Sequence, residues 1–202
     1  MTTGPLILVP AAGASSRMEG ADKLTRPVAG VPLLGRQVVR ALETGWPVLV
    51  TLPPDRPART ALVLRLMATA EGRLRSETLA DARVGLSRSL RAGARAAVEA
   101  GRDLLVMLPD MPGIETADLE RLAAAREPGI RICRATAEDG TPGHPVLFAR
   151  ELLAEFARLD GDRGAAEVVK AHREDLADVP LKGRRACEDL DTPEDWAAYL
   201  SG

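Results

Sequence analysis

The feature that most constrains the fold is an uninterrupted apolar run in the middle of the chain, Leu104-Leu105-Val106-Met107-Leu108. A strand with one solvated face would alternate apolar and polar residues. This run instead predicts a strand covered on both faces, as in a parallel sheet with helices on each side. Residues 6–9 and 47–52 are similar runs. The chain must therefore supply helices for both faces of a sheet.

Apolar residues spaced three or four apart predict those helices. They cover residues 33–44, 55–70, 85–100, 116–126, 150–158, 163–172 and 193–200, and further strands are predicted over residues 74–79, 130–134 and 145–148. Thr116 and Thr192 are the predicted N-caps of their helices, the second with Asp195 in the capping-box position. Alternating strands and helices predict an α/β fold around a mainly parallel sheet, and a length of 202 residues predicts one domain over residues 1–202.

Composition argues against two classes of binding partner, nucleic acids and membranes. The net charge is −2 and aromatic residues make up 2% of the chain, so the broad basic surface and the stacking platforms of nucleic-acid binding are both missing. No run reaches the roughly 18 apolar residues of a membrane-spanning helix, and no signal-peptide pattern opens the chain. We expect a cytoplasmic protein that binds neither nucleic acid nor a membrane.

Ligands of parallel α/β sheets bind beyond the carboxyl ends of the strands, which directs attention to the segment after the first strand. Small residues there let the backbone approach a ligand closely: Ala11, Ala12, Gly13 and Ala14. Successive N–H groups in such a turn form an anion-binding concavity. Arg17 adds a planar set of donors that suits phosphate, and Lys23 adds a mobile positive charge. The alternative is a loop kept small for packing, with both cations solvated.

The segment after the central strand, Leu108-Pro109-Asp110-Met111-Pro112, carries an acidic residue at the same edge of the sheet. Magnesium prefers carboxylate oxygens and usually binds through one or two of them together with substrate phosphates. Asp110 is therefore a candidate metal ligand. The alternative is a turn residue between two prolines.

A second acidic pair, Asp189-Leu190-Asp191, is predicted at the end of a late strand. Alternation along a strand would place both carboxylates on one face, where one of them is a candidate second magnesium ligand. The alternative is turn and capping chemistry around Thr192. His144, in Gly143-His144-Pro145-Val146, is a candidate for substrate contact; the alternative is a structural or exposed histidine.

Taken in order, these motifs resemble the MobA-like nucleotidyltransferases, most closely the branch of molybdenum cofactor cytidylyltransferases. The resemblance runs from about residue 6 to residue 199. The motifs that carry it are residues 11–18, Gly20-Ala21-Asp22-Lys23-Leu24, Gly85-Leu86-Ser87-Arg88-Ser89-Leu90, Asp110-Met111-Pro112, residues 143–146 and residues 189–195.

The resemblance implies a Rossmann-like three-layer α/β/α sandwich of the nucleotide-diphospho-sugar transferase type. It also implies roles for individual residues. The backbone near Ala12 would hold a nucleoside triphosphate together with the catalytic side chains Arg17 and Lys23. Catalytic Asp110, with Asp191 rather than Asp189, would bind Mg²⁺. The family motifs place the remaining residues near the substrates: Ser87 and Ser89 at the nucleotide, and His144 at the pterin.

Two details of the resemblance bear on the base. Members that use CTP tend to have Ala where GTP users have a second Gly, and Ala12 fits CTP. The Gly-His-Pro motif is also more typical of the cytidylyl branch. In one respect the chain departs from the family: Glu19 adds a residue between Arg17 and Lys23, beside the phosphate-binding segment.

The implied reaction is attack by the terminal phosphate of molybdenum-molybdopterin on the α-phosphorus of CTP, with release of pyrophosphate. The implied partners are CTP or GTP, the molybdopterin, and a molybdenum hydroxylase or its chaperone. Three alternatives stay open: guanylyl transfer to the same cofactor, cytidylyl transfer to methylerythritol phosphate or a sugar phosphate, and a non-catalytic cofactor carrier. An NAD-binding domain is disfavoured because GxGxxG is missing.

Overall fold

A computed structural model describes residues 4–13, 22–80, 85–161 and 164–201. Its strands are β1 (Leu6–Pro10), β2 (Pro27–Val28), β3 (Val31–Pro32), β4 (Val48–Leu52), β5 (Leu74–Thr78), β6 (Leu104–Val106), β7 (Ile132–Thr136), β8 (Pro142–Phe148) and β9 (Leu176–Pro180). Its α-helices are α1 (Leu33–Glu43), α2 (Pro57–Met67), α3 (Leu86–Glu99), α4 (Thr116–Ala124), α5 (Ala166–Ala171) and α6 (Pro193–Ser201). Residues Lys23–Thr25, Arg150–Arg158 and Arg173–Asp175 form 3₁₀ helices.

Seven strands form one sheet in the order β5-β4-β1-β6-β8-β7-β9. The two faces of β1 enter different cores: Ile7 and Val9 contact one, Leu6 and Leu8 the other. Helices α1, α2, α4 and α6 cover the first face, and α3, α5 and the 150–158 helix cover the second. The expected mainly parallel α/β/α sandwich is therefore confirmed, because strands buried on both faces need cover on both.

Strand β8 runs antiparallel to both of its neighbours, β6 and β7, whereas the other described pairs in this sheet are parallel. Its register places Val146 beside Val106, the last residue of β6. Because β8 runs in the opposite direction, it begins at the edge of the sheet where β6 ends. This topology brings Gly143 and His144 to the carboxyl edge of the parallel strands.

The start of β8 packs directly against the segment that follows β9. The His144 N–H donates to the carbonyl of Ala186 at 2.8 Å. A Cβ atom at position 143 would overlap the Ala186 carbonyl, so only glycine allows this approach. The contact fixes the chain that leads to Asp189 and Asp191.

The structure differs from the predicted secondary structure at several points, including the short strands β2 and β3, which were not predicted. Thr116 is the first residue of α4, and the N-cap of that helix is Glu115, which forms a capping box with Asp118. The Thr116 hydroxyl instead donates to Glu43 Oε2 of α1 at 2.6 Å. Asp189 and Asp191 do not lie at the end of a strand, since β9 ends at Pro180 and the chain is irregular from residue 181 to residue 192. Strand β9 was not predicted because this edge strand, with the sequence Leu-Ala-Asp-Val-Pro, has no continuous apolar run.

Within the described ranges, no helix has both the length and the apolar character that crossing a membrane requires.

Replacing Gly143 by alanine is expected to destabilise the protein by about 1–3 kcal/mol, because the new methyl group meets a backbone carbonyl that cannot move aside. Gly35→Ala is the control, since its Cβ would meet only the end of the Leu62 side chain at 3.3 Å. That variant should stay within about 1 kcal/mol of the wild type. Denaturant unfolding measures both values, and equal stability of the two variants would contradict the close approach at Gly143.

Candidate active site

Three carboxylates meet at the carboxyl edge of the sheet. Asp110 follows β6, and its carbonyl accepts a hydrogen bond from the N–H of Leu190 at 2.9 Å. This backbone bond brings the late segment onto the turn after β6. One oxygen each of Asp110, Asp189 and Asp191 lies within 4.8 Å of the others. The carboxylates that the sequence predicted to converge do so, although not through alternation along a strand.

Side chains of α1 hold the turn that follows Asp110. The buried Gln37 amide donates to the Met111 carbonyl. The Arg40 guanidinium donates to the carbonyls of Pro112, at 2.6 Å, and of Ile114. Since a buried carbonyl without a partner costs free energy, these bonds favour one conformation of the turn. The Asp110 backbone is therefore held by Leu190 on one side and by the side chains of α1 on the other.

The last helix fixes the other end of the acidic segment. Asp195 Oδ2 accepts from the backbone N–H of Asp191 and of Thr192, at 3.1 and 2.7 Å. The Asp195 N–H donates in return to the Thr192 hydroxyl at 3.2 Å. These bonds confirm the capping box that the sequence predicted. Asp195 is thus occupied in capping, while Asp191 directs its carboxylate toward Asp110.

The Lys23 ammonium lies between two of the carboxylates. Its Nζ is 2.6 Å from Asp110 Oδ2 and also bonds to Asp191 Oδ1. Burial alone would lower the pKa of Lys23, but attraction by Asp110 and hydrogen bonds to both carboxylates outweigh it and raise that pKa. Lys23 is therefore charged at neutral pH and partly neutralises the acidic cluster.

Two further observations concern the capacity of this cluster for a cation. Partial burial, followed by repulsion from Asp191 and Asp110, raises the pKa of Asp189. Asp110 Oδ1 is buried and has no hydrogen-bond partner among the described residues. A carboxylate oxygen without a donor, beside two more carboxylates, is the ligand set that hard divalent cations prefer. The three aspartates therefore fit a divalent metal ion.

The predicted phosphate-binding segment is described only in part. Ala11 and Ala12 are buried and Gly13 is exposed, and the Ala11 N–H donates to the Thr51 carbonyl at 3.0 Å. Ala14 and Arg17 lie outside the described residues. The roles predicted for them remain predictions.

Sequence reasoning missed Arg59, in the first turn of α2. Its side chain is fully buried and binds the Asp22 carboxylate, with Nε 2.8 Å from Oδ2 and Nη2 2.7 Å from Oδ1. Its Nη1 also donates to the carbonyls of Ala11, at 2.6 Å, and Gly13, at 2.7 Å. No local pattern could have identified it, because an arginine on a surface helix normally extends into solvent.

Ser87 and Ser89 lie in the first turn of α3 and are both buried. The Ser89 hydroxyl accepts from Thr51 Oγ1 at 2.8 Å, which joins α3 to β4. The Ser87 hydroxyl has no partner among the described residues. Of the two, Ser87 is therefore the better donor for a ligand.

His144 borders a cavity of about 610 Å³ between α3, α5 and the second face of the sheet. Burial lowers the pKa of His144 in spite of the nearby Asp110 carboxylate, so the ring is neutral at pH 7. Its Nδ1 is buried and lacks a partner within the described chain. The cavity is lined by apolar side chains, including Leu90 and Phe148, and bordered by the cations Arg134, Lys170 and Arg173.

Known proteins share this architecture. Rv0371c from Mycobacterium tuberculosis H37Rv is 27% identical, with 99% of this chain and all of that chain covered and a TM-score of 0.76. Its complex with manganese aligns at 24% identity over both whole chains, with a TM-score of 0.74. The 4-diphosphocytidyl-2C-methyl-D-erythritol synthase of Anaerococcus prevotii is 12% identical, with coverage of 99% and 100% and a TM-score of 0.74. A search of the curated proteins found no match.

A comparison with protein-family models assigns most of the chain to one family. The model of the MobA-like NTP transferase domain matches residues 7–176, which contain Lys23, Asp110 and His144. This match confirms the family resemblance and the enzyme class that the motifs predicted. The chain is a nucleotidyltransferase and belongs to the MobA-like NTP transferase family.

Proposed function

We propose that this enzyme transfers CMP from CTP to the terminal phosphate of molybdenum-molybdopterin, giving the cytosine dinucleotide form of the cofactor and pyrophosphate. One observation carries the proposal. In a MobA-like transferase, Lys23, Asp110 and Asp191 meet at the carboxyl edge of the sheet, and the same edge carries His144, which borders a cavity that can take a second substrate.

The proposed metal is Mg²⁺, held by Asp110 and Asp191, with Asp189 close enough to assist. The unpartnered, buried Asp110 Oδ1 supports this assignment, as does the manganese complex of Rv0371c. A divalent ion bound here would neutralise charge on the attacking and leaving phosphate oxygens.

The acceptor is proposed to occupy the cavity beside His144. At about 610 Å³ it lies within the usual range of ligand sites. Its apolar interior suits the body of a fused-ring cofactor, and the border residues Lys170 and Arg173 suit a phosphate or another anionic group. The neutral His144 ring adds a nitrogen that can accept or donate one hydrogen bond, depending on its tautomer.

The chain's own part in the reaction is positioning and charge neutralisation. The attacking group is already an anionic phosphate oxygen, so no side chain has to remove a proton from it. The positive charge of Lys23 can stabilise the negative charge that develops on the pyrophosphate as it leaves. Arg17 and the Ala12–Ala14 backbone are proposed to hold the same triphosphate, and Ser87 the nucleoside.

The choice of base rests on Ala12 and on the Gly143-His144-Pro145 motif, both of which favour CTP over GTP. The alternative with a specific observation behind it is cytidylyl transfer to methylerythritol phosphate, because the Anaerococcus synthase shares the fold. At 12% identity, the similarity to this synthase shows a shared fold and says nothing about which acceptor this chain uses. A non-catalytic carrier does not agree with the family match, which assigns the chain to the nucleotidyltransferases, and a carrier needs no carboxylate cluster.

The first experiment measures pyrophosphate release by the purified protein with Mg²⁺ and molybdenum-molybdopterin, separately with CTP, GTP, ATP and UTP. We expect release with CTP and little with the other three. Release with GTP alone would overturn the base assignment. Release only when methylerythritol phosphate or a sugar phosphate replaces the molybdopterin would overturn the acceptor.

Asp110→Asn is expected to lower kcat by about 100–1000-fold, because an amide binds a divalent cation weakly and leaves transition-state charge uncompensated. Glu120→Gln, an exposed acidic residue of α4, is the matched control and should keep wild-type turnover. The same pyrophosphate assay, with a melting curve for each variant, makes the comparison. Near-normal turnover of a folded Asp110→Asn protein would exclude the proposed metal site.

Lys23→Met is expected to bind Mn²⁺ more tightly than the wild type when no nucleotide is present, by about tenfold. The reason is that the ammonium and the metal ion neutralise the same two carboxylates. Electron paramagnetic resonance measures free Mn²⁺ in a titration, with Lys182→Met, an exposed lysine, as control. Turnover of Lys23→Met should fall at the same time. Unchanged or weaker Mn²⁺ binding would show that Lys23 and the metal do not compete.

A further inference from the structure

Arg59 occupies a position that is unfavourable for a charged side chain. It is fully buried, and it is the third residue of α2, near the positive end of the helix dipole. Removing a guanidinium from water costs several kcal/mol unless charged and polar partners compensate for it. Such a placement requires a strong set of contacts, and those contacts lie at the nucleotide end of the sheet.

The contacts of Arg59 join two separate parts of the chain. Toward residues 11–13 its Nη1 holds the carbonyls of Ala11 and Gly13. Toward residue 22 its Nε and Nη2 hold the Asp22 carboxylate in two-pronged fashion. One side chain thus ties together the two described ends on either side of residues 14–21, the stretch that contains Arg17.

Asp22 transmits this constraint to Lys23. Besides binding Arg59, Asp22 is the N-cap of the 3₁₀ helix Lys23–Thr25, and its Oδ1 accepts from the N–H of Leu24 at 3.1 Å. Arg59 therefore holds in place, through Asp22, the backbone turn from which the Lys23 side chain extends to Asp110. A lysine side chain has many rotamers, so the direction in which it leaves the backbone decides which carboxylates it reaches.

The same side chain orients the backbone before the stretch. The C=O and the following N–H of a trans peptide point in opposite directions. With the Ala11 carbonyl held by Arg59, the Ala12 N–H of the same peptide points away from the Arg59 guanidinium. An amide that is to bind a phosphate has to be turned away from the protein's own acceptors in this way.

We propose that Arg59 is a positioning residue of the nucleotide site, which aligns the Ala12 backbone and, through Asp22, the Lys23 ammonium toward one triphosphate. The proposal rests on the proposed function where it concerns turnover. Its geometric part, the alignment of Lys23, stands independently of the identity of the nucleotide or the acceptor.

The decisive test is a double-mutant cycle on Mn²⁺ affinity in the absence of nucleotide. If Arg59 acts on the metal cluster through Lys23, then Arg59→Met tightens Mn²⁺ binding by part of the amount seen for Lys23→Met. In the double variant it adds nothing further, because coupled residues are not additive. Additive effects, or an Arg59→Met protein with wild-type Mn²⁺ affinity, would overturn the proposal. This readout needs no activity, so it survives failure of the proposed function.

Turnover gives a second, independent readout. We expect Arg59→Met to raise the KM for CTP by about tenfold or more and to leave the KM for the acceptor unchanged, since misplaced binding groups weaken one substrate only. A merely structural role would reduce the active fraction and would lower kcat with both KM values unchanged. That pattern would contradict the proposal.

Two further variants serve as a second test and as a control. Arg59→Lys keeps the charge near Asp22 but cannot hold a carboxylate and two carbonyls at once. It should fold and show a smaller increase in the KM for CTP, and it serves as the test variant if Arg59→Met does not fold. Arg95→Met, which removes an exposed arginine paired with Glu77 on the surface, is the matched control and should match the wild type in both assays.

Discussion

Repulsion among three carboxylates is the constraint on which the site depends. Asp110, Asp189 and Asp191 are close enough to share one cation, and like charges at that distance destabilise the fold unless a positive charge compensates them. Lys23 supplies that charge within the chain, and backbone bonds from Leu190 and the Asp195 cap hold the carboxylates in place against their repulsion. Much of the local architecture therefore serves to keep a potentially unstable cluster together.

The reversed strand β8 determines what lies next to that cluster. A fully parallel sheet would place a helix crossover where β8 begins, whereas the antiparallel strand delivers His144 to the same edge as Asp110. The cavity then extends from His144 along one face of the sheet, between α3 and α5. The residues proposed to bind the nucleotide and those that line the cavity thus come from different parts of the chain but face a common edge.

The sequence predicted the layers and the residues Lys23, Asp110 and Asp191 that meet at the edge of the sheet, because both depend on short patterns. The roles assigned to these residues stay predictions. Continuous apolar runs identified the central strands, and Asp110 was found because it lies just past the strongest of them. Strand β9 and the Arg59 contacts were not predictable in this way. The first is a polar edge strand that β7 stabilises by pairing. The second depends on residues 22 and 59 meeting in space, and no local pattern encodes such a contact.

The wide separation of the cluster in sequence has a consequence for how the protein is made. Lys23 and Asp110 are 87 residues apart, and Lys23 and Asp191 are 168 residues apart. Because chains emerge from the ribosome N-terminus first, β1, α1 and β6 are available to fold well before Asp191 appears. A chain folded only this far could pair Lys23 with Asp110 but would lack the other two carboxylates. The carboxylate cluster is complete only when the segment that carries Asp189 and Asp191 closes over the sheet, so the site forms after that segment packs onto the turn that follows β6.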